Sequence, residues 1–157
     1  MQLAAVLVLF SLAYTTHGFI FSGQTVRIKG QFFCQSSPED AYGITVTLKD
    51  KDTGNPDDTI VRTLTDDEGK FKIEASASDI IGDIDPIMYV YHDCNDKTET
   101  GVRIPKPCQR KWKLTIPDLY VEKDAPEMDI GRINLELKMS DEDRDCFYIG
   151  GSPGGRG

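Results

Sequence analysis

His92, Asp93 and Cys94 stand side by side at the end of the run PIMYVYHDC, and Cys108 follows across a loop that holds Gly101, Pro105 and Pro107. Imidazole, carboxylate and thiol in one place are the groups of a nucleophilic hydrolase or of a zinc site. The same residues also suit a strand end stapled to its neighbour by a disulfide. The histidine count separates these readings. The chain has two histidines, His17 and His92, and His17 lies within an N-terminal leader. A triad of any kind must therefore recruit His92. A zinc site built on several histidines is excluded by arithmetic, and a mixed site competes with disulfide formation for its thiols. The expectation is no catalytic residue, no metal site and no cofactor.

A second group of residues has the types needed to bind rather than react. Between Gly101 and Pro117 the chain carries Arg103, Lys106, Arg110, Lys111 and Lys113 and no Asp or Glu, although its formal net charge is −8. That acidic balance makes nucleic acid a poor partner overall, while a local positive patch remains able to meet phosphate head groups, sulfated glycans or an acidic receptor surface. Strand parity places Lys111, Lys113 and Thr115 on one face, opposite Trp112, Leu114 and Ile116. The competing reading is a solvated strand face whose lysines pair with acidic neighbours. Asp50, Asp52, Asp57 and Asp58, then Asp66, Asp67 and Glu68, then Asp141, Glu142, Asp143 and Asp145 crowd three turns. Calcium needs several carboxylates at one point, but no EF-hand spacing is present and these are ordinary turn formers.

The elements that must position these residues are strands. TVRIKGQFF, ITVTLKD, KFKIEA, WKLTI and INLELKM alternate apolar with polar residues, and TIVRTLT and PIMYVYH add two more segments. Period-two patterning over short runs, separated by Asp-, Asn-, Gly- and Pro-rich connectors, predicts a seven-stranded, antiparallel-rich β-sandwich. ASASDIIGDID admits one short helical turn before Pro86. Residues 1–18 read as a secretory signal peptide: an apolar run too short to span a bilayer, ending at a small residue. Residues 19–147 then form one domain, and 148–157 a flexible Gly-rich tail. Four cysteines, Cys34, Cys94, Cys108 and Cys146, all fall in the domain. In an oxidising compartment they predict two disulfides, with three possible pairings. None of the three asparagines after residue 18 lies in an N-x-[ST] sequon.

The runs VRIKGQFFC, GITVTLKD, TDDEGKFKIEA, DPIMYVYHDC, KPCQRKWKLTIPD and RDC, in this order over residues 25–147, resemble the nematode transthyretin-like family of small secreted proteins. The resemblance implies an all-β, transthyretin-like sandwich stabilised by two disulfides, secretion into the extracellular space and a non-enzymatic role. Transthyretin-fold hydrolases of the purine pathway use more than one histidine and a C-terminal tetrapeptide, whereas this sequence has one histidine in its domain and closes on GGRG. The resemblance also implies a pairing. The fifth and sixth strands are antiparallel neighbours, and the first and last are parallel neighbours, so Cys94–Cys108 and Cys34–Cys146 are expected. Some family members are proposed to act as extracellular bridging factors that recognise exposed phosphatidylserine on dying cells. The resemblance therefore points to a ligand or bridging protein for anionic cell-surface lipids or a receptor, with a carrier of small apolar ligands between subunits as the alternative.

Overall fold

A computed structural model describes residues 24–51, 57–77, 84–98, 100–102, 104, 108–122 and 124–147. The leader over 1–18, the Gly-rich tail over 148–157 and most of the helical turn expected before Pro86 lie outside the described residues. Among the described residues no helix is long and apolar enough to cross a membrane.

Among the described residues eight strands are present: β1 (Gln24–Phe33), β2 (Thr45–Asp50), β3 (Asp58–Leu64), β4 (Lys70–Ala77), β5 (Pro86–His92), β6 (Gln109–Thr115), β7 (Met128–Asn134) and β8 (Glu142–Asp145). They form two sheets, in the orders β4-β1-β7 and β3-β2-β5-β6-β8. β1 and β7 are parallel and the other pairs antiparallel. The period-two residues meet between the sheets. Val26, Ile28, Phe32, Val46, Leu48, Ile73, Met88, Val90 and Trp112 are buried there. Phe32 stacks on Phe71 at 5.0 Å and meets Trp112 edge-on at 6.4 Å. Trp112 is core, as its parity predicts.

Turn chemistry sets the ends of the strands. In TDDEG, the Asp66 carboxylate accepts the Glu68 and Lys70 N–H groups. Gly69 there has φ +73°, and a Cβ on it would lie 2.1 Å from the Phe32 carbonyl oxygen, so only glycine fits. The buried Thr65 hydroxyl accepts the Ile44 N–H at 2.9 Å and donates to the Ala41 carbonyl at 2.6 Å, fixing the entry to β2.

Two expectations need correction. The last strand was expected over INLELKM, but β7 ends at Asn134, whose side-chain oxygen accepts the Glu136 N–H. This side-chain turn breaks the apolar alternation, and the chain crosses to the other sheet to form β8 against β6. That crossing overturns the expected disulfides. Gln109 opposes Asp145 in register, so Cys108 and Cys146 face one another past the strand ends and are bonded. The β5–β6 ladder stops at the pair His92–Arg110, and a turn with Asn95 at φ +50° follows. Cys94 leaves the sheet there, fully buried, and bonds Cys34 at the end of β1, joining the two sheets. Cys94–Cys108 and Cys34–Cys146 are therefore not the pairs. The bonds span 60 and 38 residues. The chain-entropy model gives about 4 kcal/mol for each.

Candidate functional site

Val46 and Leu48, Met88 and Val90, and Trp112 point into the core. Their neighbours in sequence therefore face outward from the five-stranded sheet. On that face Arg62 of β3 opposes Thr47 of β2, which opposes Tyr89 of β5, which opposes Lys113 of β6. Lys49 sits one position along β2 on the same face as Thr47, and Tyr91 opposes Lys111. Tyr89 organises the centre. The Lys49 and Lys111 ammonium groups lie 5.7 and 5.8 Å from its ring centroid, and its hydroxyl donates to Asp57 at 2.8 Å. Partial burial, reinforced by the hydrogen bond to Asp57 and its charge, pushes the Tyr89 phenol up to about 12. Arg62 and Lys113 are exposed, and Lys49 and Lys111 partly so.

The sequence-predicted cations divide three ways. Arg103 and Lys106 lie outside the described residues. Lys111 and Lys113 share the outward face, with Lys111 3.6 Å from Asp145. Arg110 points inward and is 8% exposed. Its Nε and Nη2 hold both Glu142 carboxylate oxygens, at 2.7 and 2.8 Å. Its remaining N–H groups reach the carbonyls of Cys94 at 2.8 Å, Leu135 at 2.8 Å and Leu137 at 2.9 Å. All the guanidinium donors are thereby used, tying β6 to β8, to the end of β5 and to the β7–β8 turn. The expectation that Arg110 meets an anionic surface fails because it is on the same strand face as Trp112. Lys49, Arg62 and Tyr89 were missed, since only cross-strand register brings them beside Lys111.

The opening cluster is structural. His92 is 2% exposed, and neither ring nitrogen has a hydrogen-bond partner among the described residues. Burial, with the positive charge of Arg110 added, pushes its imidazole down to about 4. All four cysteines are in disulfides. Asp93 accepts a hydrogen bond from the Gln109 amide at 3.1 Å. The buried Asp96 carboxylate is held by Arg144 at 2.6 and 2.9 Å. A polar cleft of about 420 Å³ opens beside these pairs, near Lys97, Lys138 and Glu136. An apolar groove of about 390 Å³ lies on the other sheet, between Gly30, Phe71 and the stems of Lys29, Lys70 and Lys72.

Among the described residues, the His, Cys, Asp and Glu side chains that converge are Cys34, Cys94 and Glu136, two of them already bonded through sulfur. Three carboxylates of the acidic turns accept hydrogen bonds: Asp50 from the Asp85 N–H, Asp57 from the Tyr89 hydroxyl and Asp66 from the Lys70 N–H.

A sequence model described as the Transthyretin-like family matches residues 29–117. Transthyretin-like protein 5 of Caenorhabditis elegans is 34% identical over 146 residues, which cover 90% of this chain and 98% of that protein. Transthyretin-like protein 33 of the same organism is 33% identical over 151 residues, covering 94% and 98%. Among solved structures, a 9R-lipoxygenase from Cyanothece is 16% identical with a TM-score of 0.43. That match spans 72% of this chain and 17% of the lipoxygenase, too slight to bear on fold or function.

Proposed function

The chain belongs to the transthyretin-like family, and from that premise we propose that it is a secreted, non-enzymatic binding protein whose cationic sheet face meets anionic groups at a cell surface. One observation carries this reading. On a chain of net charge −8, Lys49, Arg62, Lys111 and Lys113 gather on the outward face of a single sheet. Such a local field attracts anions even where the whole molecule repels them. Near an anionic membrane each basic side chain contributes about 1 kcal/mol, so the patch supports phosphatidylserine-type head groups and sulfated glycans alike. Two disulfides fit an oxidising, extracellular compartment. His92 is buried and the cysteines are in disulfides, which supports the non-enzymatic reading.

The test is retention by anionic matrices. The wild-type protein is expected to co-sediment with phosphatidylserine-containing vesicles or to be held by an immobilised sulfated glycan. A variant with Lys111→Glu and Lys113→Glu is expected to lose that retention. No retention of the wild-type protein on either matrix at physiological ionic strength overturns the reading.

A further inference from the structure

Resting on that reading and narrowing it, we infer that the ligand of this face is a linear sulfated polysaccharide, laid across the strands and held by Arg62, Lys49, Lys111 and Lys113. The first argument is the arrangement of charge. Arg62 and Lys113 close the two ends of one cross-strand row, Arg62–Thr47–Tyr89–Lys113, and Lys49 and Lys111 lie one position to either side of it, so the cations form a band across the sheet. Strands are spaced about 4.8 Å apart, so the row from Arg62 to Lys113 extends roughly 14 Å. A row of that form matches a chain that carries an anionic group on successive sugars. The two clefts described above are lined by other residues.

The second argument is what the face lacks. Binding in a bilayer interface draws on apolar side chains that enter the head-group region. The large exposed apolar residues among those described are Tyr42, Val102, Leu119, Leu137 and Phe147, and all lie outside the strands of this face. On the face itself Ile87 and Tyr91 are 5% and 4% exposed. The face offers charge without a wedge, which suits a hydrated polyanion better than a lipid surface.

Third, Tyr89 keeps two ammonium groups against its ring. The ring offsets their mutual repulsion and holds each as a separate point charge for its own sulfate. The flanking carboxylates set the limits of the track. Asp57 is engaged by the Tyr89 hydroxyl, while Asp143 and Asp145 on β8 border the far side of Lys111. A polyanion is thereby confined to the strip from β3 to β6.

The experiment compares the full-length protein on immobilised heparin, on the same heparin stripped of its sulfates, and on vesicles of phosphatidylserine and phosphatidylcholine. The wild type is expected to be held by heparin and released by salt, and to pass through the desulfated matrix. Lys49→Glu with Arg62→Glu, and Lys111→Glu with Lys113→Glu, are each expected to weaken heparin binding by about tenfold or more. Lys111→Arg with Lys113→Arg keeps it, and Lys138→Glu, away from the face, leaves it unchanged. Far-UV circular dichroism confirms that each variant is folded. Vesicle binding without heparin binding overturns this inference and leaves the broader reading standing, whereas failure on both matrices removes both. Equal heparin affinity of the wild type and either double Glu variant also overturns it.

Discussion

Arg110 and Lys111 are consecutive residues of one strand with opposite fates. Arg110 turns inward, where Glu142 and the carbonyls of Cys94, Leu135 and Leu137 take up its donors. Lys111 turns outward, resting on Tyr89 and near Asp145, with a quarter of its side chain exposed. A count of positive charges treats them alike. Burial does not: the first is part of the frame, and the second is available to a partner. The inner end of the sandwich is a set of closed ion pairs, whereas the outer face is a field.

The sharpest way to break this contrast is at Arg110. Removing one member of a buried, hydrogen-bonded pair leaves Glu142 charged and unpaired, which costs about 3–5 kcal/mol. Arg110→Ala is therefore expected to lower the stability measured by urea unfolding by that amount, and a loss below about 1 kcal/mol refutes the assigned role.

Acid attacks the same inner region. The folded imidazole of His92 protonates near 4, against 6.5 when unfolded. Between these values the unfolded chain takes up a proton that the folded chain does not. Stability is thus full above pH 6.5 and declines as pH falls toward 4, by about 3 kcal/mol in all. Glu142 adds to this at lower pH. Burial alone would raise its carboxyl, but the Arg110 guanidinium and the Met139 N–H outweigh burial and hold it below the usual 4.5. Its contribution is present above 4.5 and is lost as pH falls through its lowered value. Denaturation midpoints across this range are expected to follow that course, and His92→Phe to flatten the part between 6.5 and 4.5. An unchanged slope in that variant assigns the acid sensitivity elsewhere.

The outer face should scarcely register in the same assays. Lys111→Gln with Lys113→Gln is expected to change unfolding free energy by no more than about 0.5 kcal/mol, as exposed pairs generally do. A larger loss would place these lysines in the frame with Arg110.

Much of this was legible in the residues. The alternation in TVRIKGQFF, ITVTLKD and KFKIEA fixes strand and face, and the adjacency of β1 with β7 follows the family pattern. β8 was hidden because EDRD has no apolar residue to alternate: it is held by hydrogen bonds to β6 and by Glu142 on Arg110. With β8 unseen, Cys146 was assigned to the wrong neighbour. The inward turn of Arg110 was written in the same parity that placed Trp112 in the core, but a guanidinium inside a sandwich is expected only once its acceptors are known. Those acceptors come from residues 94, 135, 137 and 142, which no local pattern joins. The membership of Lys49 and Arg62 in the outer face is likewise a matter of register between strands.

The disulfides do not nest. Cys34–Cys94 and Cys108–Cys146 close two separate covalent rings, threaded in series by the segment from residue 95 to 107. A protease that cuts inside either ring leaves its fragments tethered. A cut in the connecting segment, where Lys97, Arg103 and Lys106 lie, leaves the two halves held only by packing and hydrogen bonds. Between Cys34 and Cys146 this segment is the one stretch where a single cleavage parts the chain into two covalent pieces, and it leads into the strand that bears Lys111 and Lys113.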